Sequence, residues 1–411
     1  MKGSKLRLIG PFTQAITFSG LPVKGPLHDA MLEIIPHAGI LINGNLIEAV
    51  GPFRELKSLA AVVDPVDGDY TVMPGLVDAH THICWAGSRA ADYAMRLSGK
   101  SYIEIAQQGG GIWSTVAHTR EAGEADLAKR TAGRADRLLK HGVTTIEVKS
   151  GYGLNVEAEL KILHSIHKAK MITRADLVPT CLAAHIKPKD FSGTPREYLA
   201  YIVRELLPLV RDQKLSNRVD IYVDEDAFSR EEARYYLNAA REMGFDVTVH
   251  ADQFSRGGLQ LATEVGAISA DHLEATTDED IGRMAETSVI AVALPGASMG
   301  LGAAFAPARK LLNAGVAMAI ASDWNPGSAP MGNLLMQAAV LGIYERLTMA
   351  ETLSGITFRG AAALNLHDRG ILQPGMLSDF IAFPCMDYRE ILYNQGGMMP
   401  ELVWKGGVRS E

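Results

Sequence analysis

Pro74-Gly75-Leu76-Val77-Asp78-Ala79-His80-Thr81-His82 is a short apolar run that ends in two histidines one residue apart. On an extended strand, side chains two apart share a face, so both imidazoles can reach one metal ion. Two later apolar runs end on potential ligands as well. Asp246-Val247-Thr248-Val249 leads into His250, and Val316-Ala317-Met318-Ala319-Ile320-Ala321-Ser322 leads into Asp323. Three histidines and one aspartate suit zinc or iron, with a position left open for water.

Working outward from these runs, eight strands are read at residues 75–80, 143–149, 177–184, 219–224, 246–250, 268–272, 288–294 and 316–322. Between them, Glu157 to Ala169, Arg196 to Val210 and Glu231 to Met243 carry apolar residues at helical spacing. Alternating strands and helices imply parallel βαβ units, and eight of them imply an α/β protein with a closed (β/α)8 TIM-type barrel. An open doubly wound sheet is the alternative. The barrel is preferred because no glycine-rich dinucleotide turn follows the first strand. Polar residues also recur at nearly every strand end, where barrel sites lie.

The barrel is expected over residues 73–370. Its segment 83–142, with Gln107-Gln108-Gly109-Gly110-Gly111, is too long for one crossover and is expected to include a lid or loop. Residues 1–72 and 371–411 hold short β-like runs, such as Leu6 to Ile9, Ala30 to Ile35 and Asp379 to Phe383. Neither end can build much core alone, so they are expected to pair into one small β-sandwich domain.

Composition narrows the function classes. With 411 residues, 47% hydrophobic and 21% charged, the chain reads as an ordinary globular protein of one large domain with an appendage, or of two domains. A net charge of −7 without a basic block argues against nucleic acid. Cys84, Cys181 and Cys385 are too widely spaced for a disulfide framework or a thiolate metal site. Met1 to Lys5 leads into a strand-like run broken at Gly10-Pro11 rather than into a signal segment. No apolar stretch approaches the ~20 residues of a membrane span. The cytoplasm is the default expectation, with no membrane or nucleic-acid partner.

Several further residues have two readings. Asp78 shares the face of His80, either as a partner of the ligands or as a buried structural carboxylate. His185 and His272 end strands and are read as ligands, proton carriers or polarising donors. Arg89 is either a bidentate clamp for an acidic substrate or an ion pair with Asp92. Lys149 ends the second barrel strand. A metal-bridging role is disfavoured, and the fourth strand ends in Asp224-Glu225-Asp226 without a lysine. One metal ion per chain, divalent or trivalent, is therefore expected rather than two. His118, His141, His164, His167 and His367 lie on helical patterns and read as solvated. His28 and His37 are far from the site in sequence. Ser322-Asp323-Trp324-Asn325-Pro326-Gly327-Ser328-Ala329-Pro330 is either a tight connection or a polar substrate loop.

The first stretch, with His250, His272 and Asp323, resembles the amidohydrolase superfamily. Within it, the imidazolonepropionase family is the nearer likeness. That likeness rests on Trp85-Ala86-Gly87-Ser88-Arg89, Gln107 to Gly111, Lys149-Ser150-Gly151-Tyr152-Gly153-Leu154, His250-Ala251-Asp252-Gln253-Phe254 and Ser322 to Gly327. It covers essentially the whole chain. Asp252 stands where some relatives would carry Glu, which shortens a proposed acid/base by one methylene.

The resemblance implies metal-dependent hydrolysis of the ring C–N bond of 4-imidazolone-5-propanoate to N-formimidoyl-glutamate by a homodimer. A metal with an open position lowers the pKa of bound water toward ~7, which is the same chemistry class. It further implies His80, His82, His250 and Asp323 as ligands, with His272, Asp323 and Asp252 as catalytic groups. Arg89 and Tyr152 would hold the propionate, His185 and Gln253 the ring, and Asn325, Gly327 and Ser328 the open-chain end. The rival readings are a deaminase of a nucleobase or of formimidoyl-glutamate, and a catalytically inactive barrel that acts as a binding protein.

Overall fold

The computed structural model describes residues 6–100 and 102–410. Five strands come first: β1 (Arg7–Ile16), β2 (Ile34–Asn43), β3 (Leu46–Pro52), β4 (Val62–Pro65) and β5 (Thr71–Pro74). Eight more follow: β6 (Leu76–Asp78), β7 (Val143–Lys149), β8 (Asp176–Ala184), β9 (Arg218–Val223), β10 (Asp246–Ala251), β11 (Ser269–His272), β12 (Ile290–Ala293) and β13 (Met318–Ile320). These eight lie side by side in chain order, and every pairing is parallel. Each overlaps a stretch expected from its β-branched run.

The ring closes where the first and last of these strands end. Asp323 N–H donates to the His80 carbonyl and His82 N–H to the Trp324 carbonyl, both at 3.0 Å. Thr81 and Trp324 form a parallel bridge. Below them, the Asp78 carboxylate accepts the Ser322 amide at 2.9 Å, so Asp78 is a structural tie across the seam. Burial pushes its carboxyl up to about 7.

The helices that face the barrel bury one stripe each. Glu124–Lys140 buries Leu127, Ala128, Thr131, Ala132, Ala135, Leu138 and Leu139, spaced three and four apart. Val156–Lys170 is capped by the Asn155 side chain, which accepts the Ala158 amide. It carries acidic residues in its first turn and basic ones in its last. The segment expected to hold a lid is largely helical, with helices at Ala90–Leu97, Tyr102–Gln107 and Ile112–Glu121 before Glu124–Lys140. Among the described residues no helix is long and apolar enough to cross a membrane.

Both ends of the chain meet in a second sheet, completed by β14 (Phe380–Phe383), β15 (Leu402–Lys405) and β16 (Val408–Ser410). Its order is β16-β15-β14-β5-β1-β2-β3, with β4 parallel to the first residues of β1. The hydrogen bonding joins the strands of both chain ends in one continuous sheet, so the two ends pair into one unit beside the barrel as expected. That sheet encloses a core. Ile9, Phe12, Val72, Phe380, Ala382, Leu402 and Trp404 form one buried cluster. Alternate residues on the same strands, Met73, Ile381, Phe383 and Val403, belong to the barrel's cluster. Period-two patterning thus gives the sheet one face for its own core and one for the barrel.

Ile381 is fully buried at this junction. Gly142, at φ +88° just before β7, makes room for it, since a Cβ there would meet Ile381 Cδ1 at 2.8 Å. Ile381→Ala should cost about 2–5 kcal/mol and lower the urea midpoint of unfolding. An unchanged midpoint would show that the sheet's barrel-facing side carries little of the stability.

Candidate metal centre and active site

His80 and His82 follow β6, His250 lies on β10 and Asp323 follows β13, so their side chains enter one end of the barrel from three directions. The His82 Nε2 lies 3.3 Å from His80 Nε2 and 3.4 Å from His250 Nε2. Asp323 Oδ1 is 3.6 Å from His80 Nε2 and 3.4 Å from His82 Nε2. All four side chains are buried.

Their outer nitrogens explain why this cluster fits a cation. The His80 Nδ1–H donates to Asp271 Oδ2 at 2.6 Å. His250 Nδ1 lies 2.9 Å from Asp220 Oδ2, a contact that favours a proton on that nitrogen. Both rings then turn a bare Nε2 lone pair inward. At most one proton, that of His82, is left among three nitrogens and a carboxylate. Burial also holds His80 and His82 well below the ordinary histidine range and His250 down to about 3, so all three are neutral. A zinc or iron ion is the group these donors suit, and the Asp323 carboxylate is near enough to His80 and His82 to serve beside them. Among the described residues, His80, His82 and His250 are the one grouping close enough to share an ion.

Lys149 does not point at this centre from a bridging position. Its ammonium, 1% exposed, lies 2.7 Å from Glu147 Oε1, 2.9 Å from Asp220 Oδ2 and 3.9 Å from Asp271 Oδ2. The fourth strand's Asp224 instead accepts from the Phe254 amide and the Ser255 hydroxyl, which shapes the neighbouring loop.

Above the centre is a cavity of about 320 Å³ lined by His82, Arg89, Tyr152, His185, His250, Gln253, His272, Asp323, Asn325, Gly327 and Ser328, among others. All seven residues expected to hold the substrate line it. Of the two readings of Arg89, the ion pair is observed, its Nε–H donating to Asp92, and the residue also lines the cavity. Asp92 also accepts the Gly111 amide at 2.9 Å. A Cβ on Gly110 would meet Asp92 Oδ1 at 2.6 Å, so the glycine run is what lets that loop close over the aspartate.

The Lys149 to Leu154 stretch has a similar logic. The amides of Gly151, Gly153 and Leu154 all donate to the buried Glu159 carboxylate, at 3.1, 2.7 and 2.8 Å. Gly151, at φ +103°, also offers its carbonyl to His185 Nδ1–H at 3.0 Å. Burial lowers His185 to about 4, so it is neutral, with Nε2 free to accept. Tyr222 donates its hydroxyl to Gln253 Oε1 at 2.9 Å.

Two expected site residues have their polar atoms engaged within the loops around them. Asp252, two residues past His250, was expected as a catalytic group, but β10 ends at Ala251 and Asp252 turns to φ +53°. Its carboxylate accepts the amides of Gly257 and Leu259 and the hydroxyl of Thr276, away from the cavity. Asn325 lines the cavity, yet its amide is engaged within its own loop. Its Oδ1 accepts from Gly327 and Ser328 amides, and its Nδ2 donates to the Asp323 carbonyl and Ser328 hydroxyl.

Sequence reasoning missed two other contributors. Arg96 lines the cavity and donates to the carbonyls of Gly327 (2.9 Å) and Gly300 (3.2 Å). Its spacing of seven from Arg89, two helical turns, is a signal that was available. Glu274, two residues past His272, has Oε1 3.6 Å from His272 Nδ1 and accepts from Ser298. Burial alone would lower His272, but Glu274 raises it above its ordinary value. His272 and Asp323 also hold positive φ, +86° and +48°, a strained backbone of the kind found at functional sites.

Comparison with known proteins adds a family. A model of the Amidohydrolase family matches residues 105–409. The imidazolonepropionase of Solibacter usitatus is 39% identical over 402 residues, 96% of each chain. That of Alkaliphilus oremlandii is 40% identical over 405 residues, 96% of this chain and 95% of its own. Among solved structures, atrazine chlorohydrolase from Arthrobacter aurescens complexed with zinc aligns with a TM-score of 0.72 at 17% identity, over 98% of this chain and 94% of that one. A zinc-bound adenosine deaminase from Xanthomonas campestris aligns with a TM-score of 0.71 at 19% identity, over 98% and 92%. At those identities the likeness to the solved structures is one of fold.

A metal held in the folded state alone must stabilise it. Zinc at 100 times its Kd should add about 2.7 kcal/mol to the unfolding free energy, read as a rise in Tm. His82→Ala and His250→Ala should each abolish the rise. A rise that survives both substitutions would place the ion elsewhere.

Proposed function

The chain belongs to the imidazolonepropionase family of amidohydrolases, and we infer that its cavity hydrolyses the ring C–N bond of 4-imidazolone-5-propanoate to N-formimidoyl-L-glutamate, a step of histidine degradation. The observation that carries this reading is the convergence of His80, His82, His250 and Asp323 at the floor of a cavity whose wall holds Arg89 and Tyr152. A small cyclic acid fits that pairing of a hydrolytic centre with a cationic clamp.

In the reaction, the water oxygen joins the ring carbonyl carbon, and the bond from that carbon to the ring nitrogen breaks. One water proton ends on the departing nitrogen, and the other is released as the new carboxyl group ionises to a carboxylate, so no ammonia is formed. When bound, the metal supplies Lewis acidity that makes water a stronger acid near pH 7 and polarises a carbonyl. The donor set suits zinc and iron alike.

The remaining work falls to the chain's own groups. Asp323, whose carboxyl burial pushes up to about 6, is placed to take a proton from water at a carboxylate oxygen. His272, with Glu274 behind its Nδ1, is placed to donate a hydrogen bond from its other nitrogen to the carbonyl oxygen as negative charge develops there. His185 accepts from a ring N–H at Nε2, because its Nδ1 is already bonded to Gly151. Gln253 keeps its amide donor for the ring, because Tyr222 occupies its oxygen.

Arg89 and the Tyr152 hydroxyl hold the propionate. Asp92 fixes the guanidinium that does so. Gly327 and Ser328 border the open-chain end, in a loop that Asn325 shapes and Arg96 anchors. No catalytic step is assigned to Asp252, which keeps the following loop in place.

Freshly generated 4-imidazolone-5-propanoate should lose its ultraviolet absorbance with metal-loaded protein and keep it with chelated protein. The product should be N-formimidoyl-glutamate. Ammonia release, or no decay with one metal bound per chain, would contradict the reading. Arg89→Met removes a charge-assisted contact and should raise KM about ten- to a hundredfold with kcat little changed. An unchanged KM would remove Arg89 from the propionate site.

A further inference from the structure

The family likeness singled out Lys149 to Leu154, and the reaction above uses only Tyr152 from it. The lysine at its head is more deeply buried than a surface strand end would need, and its surroundings are specific. Glu147, Asp220 and Asp271 reach its ammonium from β7, β9 and β11. Two of those three carboxylates are the partners of His250 and His80 at Nδ1.

The same two residues of β7 also grip the main chain between His80 and His82. Lys149 N–H donates to the Thr81 carbonyl at 2.9 Å. The Thr81 N–H donates to Glu147 Oε2 at 3.1 Å, and the Thr81 hydroxyl donates to the Glu147 carbonyl at 2.5 Å. Every histidine of the centre is therefore one contact away from the Glu147-Lys149 pair: His80 and His82 through Thr81, His80 again through Asp271, and His250 through Asp220.

We propose that Lys149 is the positioning residue of the metal centre: its buried ammonium holds Asp220 and Asp271 where they present the Nε2 lone pairs of His250 and His80 to one ion. The proposal rests on the metal-centre reading above. The physical reason is that a ring is useful to a metal only if its far nitrogen keeps the proton and its plane is fixed. Asp220 and Asp271 do this for two rings. Two acidic side chains side by side in a barrel interior repel each other unless a positive charge lies between them. Lys149 is that charge. A neutral side chain there leaves the two carboxylates free to part and the imidazoles free to turn.

Co²⁺ is the probe, because its visible bands report both occupancy and the ligand set. Wild-type protein freed of metal and titrated with Co²⁺ should take up one ion per chain, and His80→Ala should not. Lys149→Met keeps the side chain's reach without its charge. It should weaken Co²⁺ binding by about 10–100-fold and alter the bands. Lys149→Gln guards against a methionine variant that fails to fold, and should lose affinity in the same range.

Wild-type affinity and bands in either folded variant would overturn the proposal while leaving the metal centre in place. A lowered unfolding midpoint with unchanged Co²⁺ binding would overturn it in favour of a packing role. Co²⁺ binding that survives His80→Ala would bring down the metal-centre reading itself, and the proposal with it.

Discussion

A carboxylate taken out of water loses its hydration, at a cost of several kcal/mol unless charge or hydrogen bonding replaces it. The interior of this barrel holds Glu147, Asp220 and Asp271 around the single ammonium of Lys149. That compensated cluster lies directly beneath the histidine site, and two of its acids are the ones that orient His80 and His250. Burial raises the Glu147 and Asp271 carboxyls, while His250 and Lys149 hold Asp220 low despite its burial. The barrel therefore carries a polar floor, assembled from three strands, on which neutral imidazoles stand with their lone pairs turned toward the cavity.

The rest of the site is arranged around that floor by main-chain geometry. The seam of the ring is made by segments that carry the clustered side chains, since His80, His82, Asp323 and Trp324 exchange backbone hydrogen bonds there. The contacts that close the barrel therefore also bring His80, His82 and Asp323 together. Loops above the floor are fixed by buried acids that gather amides: Glu159 under Gly151 to Leu154, Asp92 against Gly111, and Asp252 against Gly257 and Leu259. Each leaves a different polar group facing the cavity, which is how a rigid scaffold carries several specific contacts on loops.

Much of this was legible in the sequence. The barrel follows from eight β-branched runs separated by helical periodicity, and the rule that barrel chemistry collects at strand ends singles out His80, His82, His250 and Asp323, which the structure brings together. The double face of the terminal sheet was not, because Ile381 and Phe380 read alike as apolar and only the docking of the sheet assigns them to different cores. The placing of Asp252 was not legible either, because β10 ends at Ala251 and the backbone turns to positive φ at Asp252. The role of Lys149 was hidden for a different reason. Its partners lie 71 and 122 residues away, and nothing local marks Asp220 or Asp271 as the residues that will meet it. Arg96 and Glu274 were within reach, at two helical turns from Arg89 and two residues from His272.

The most direct test is anomalous diffraction from crystals of the metal-loaded protein. The account predicts one strong anomalous peak per chain, bonded to Nε2 of His80, His82 and His250 and to a carboxylate oxygen of Asp323. The Nδ1 atoms of His80 and His250 should remain on Asp271 and Asp220. A peak bound through Nδ1, a second peak beside Lys149, or an ion that leaves Asp323 unbound would contradict it.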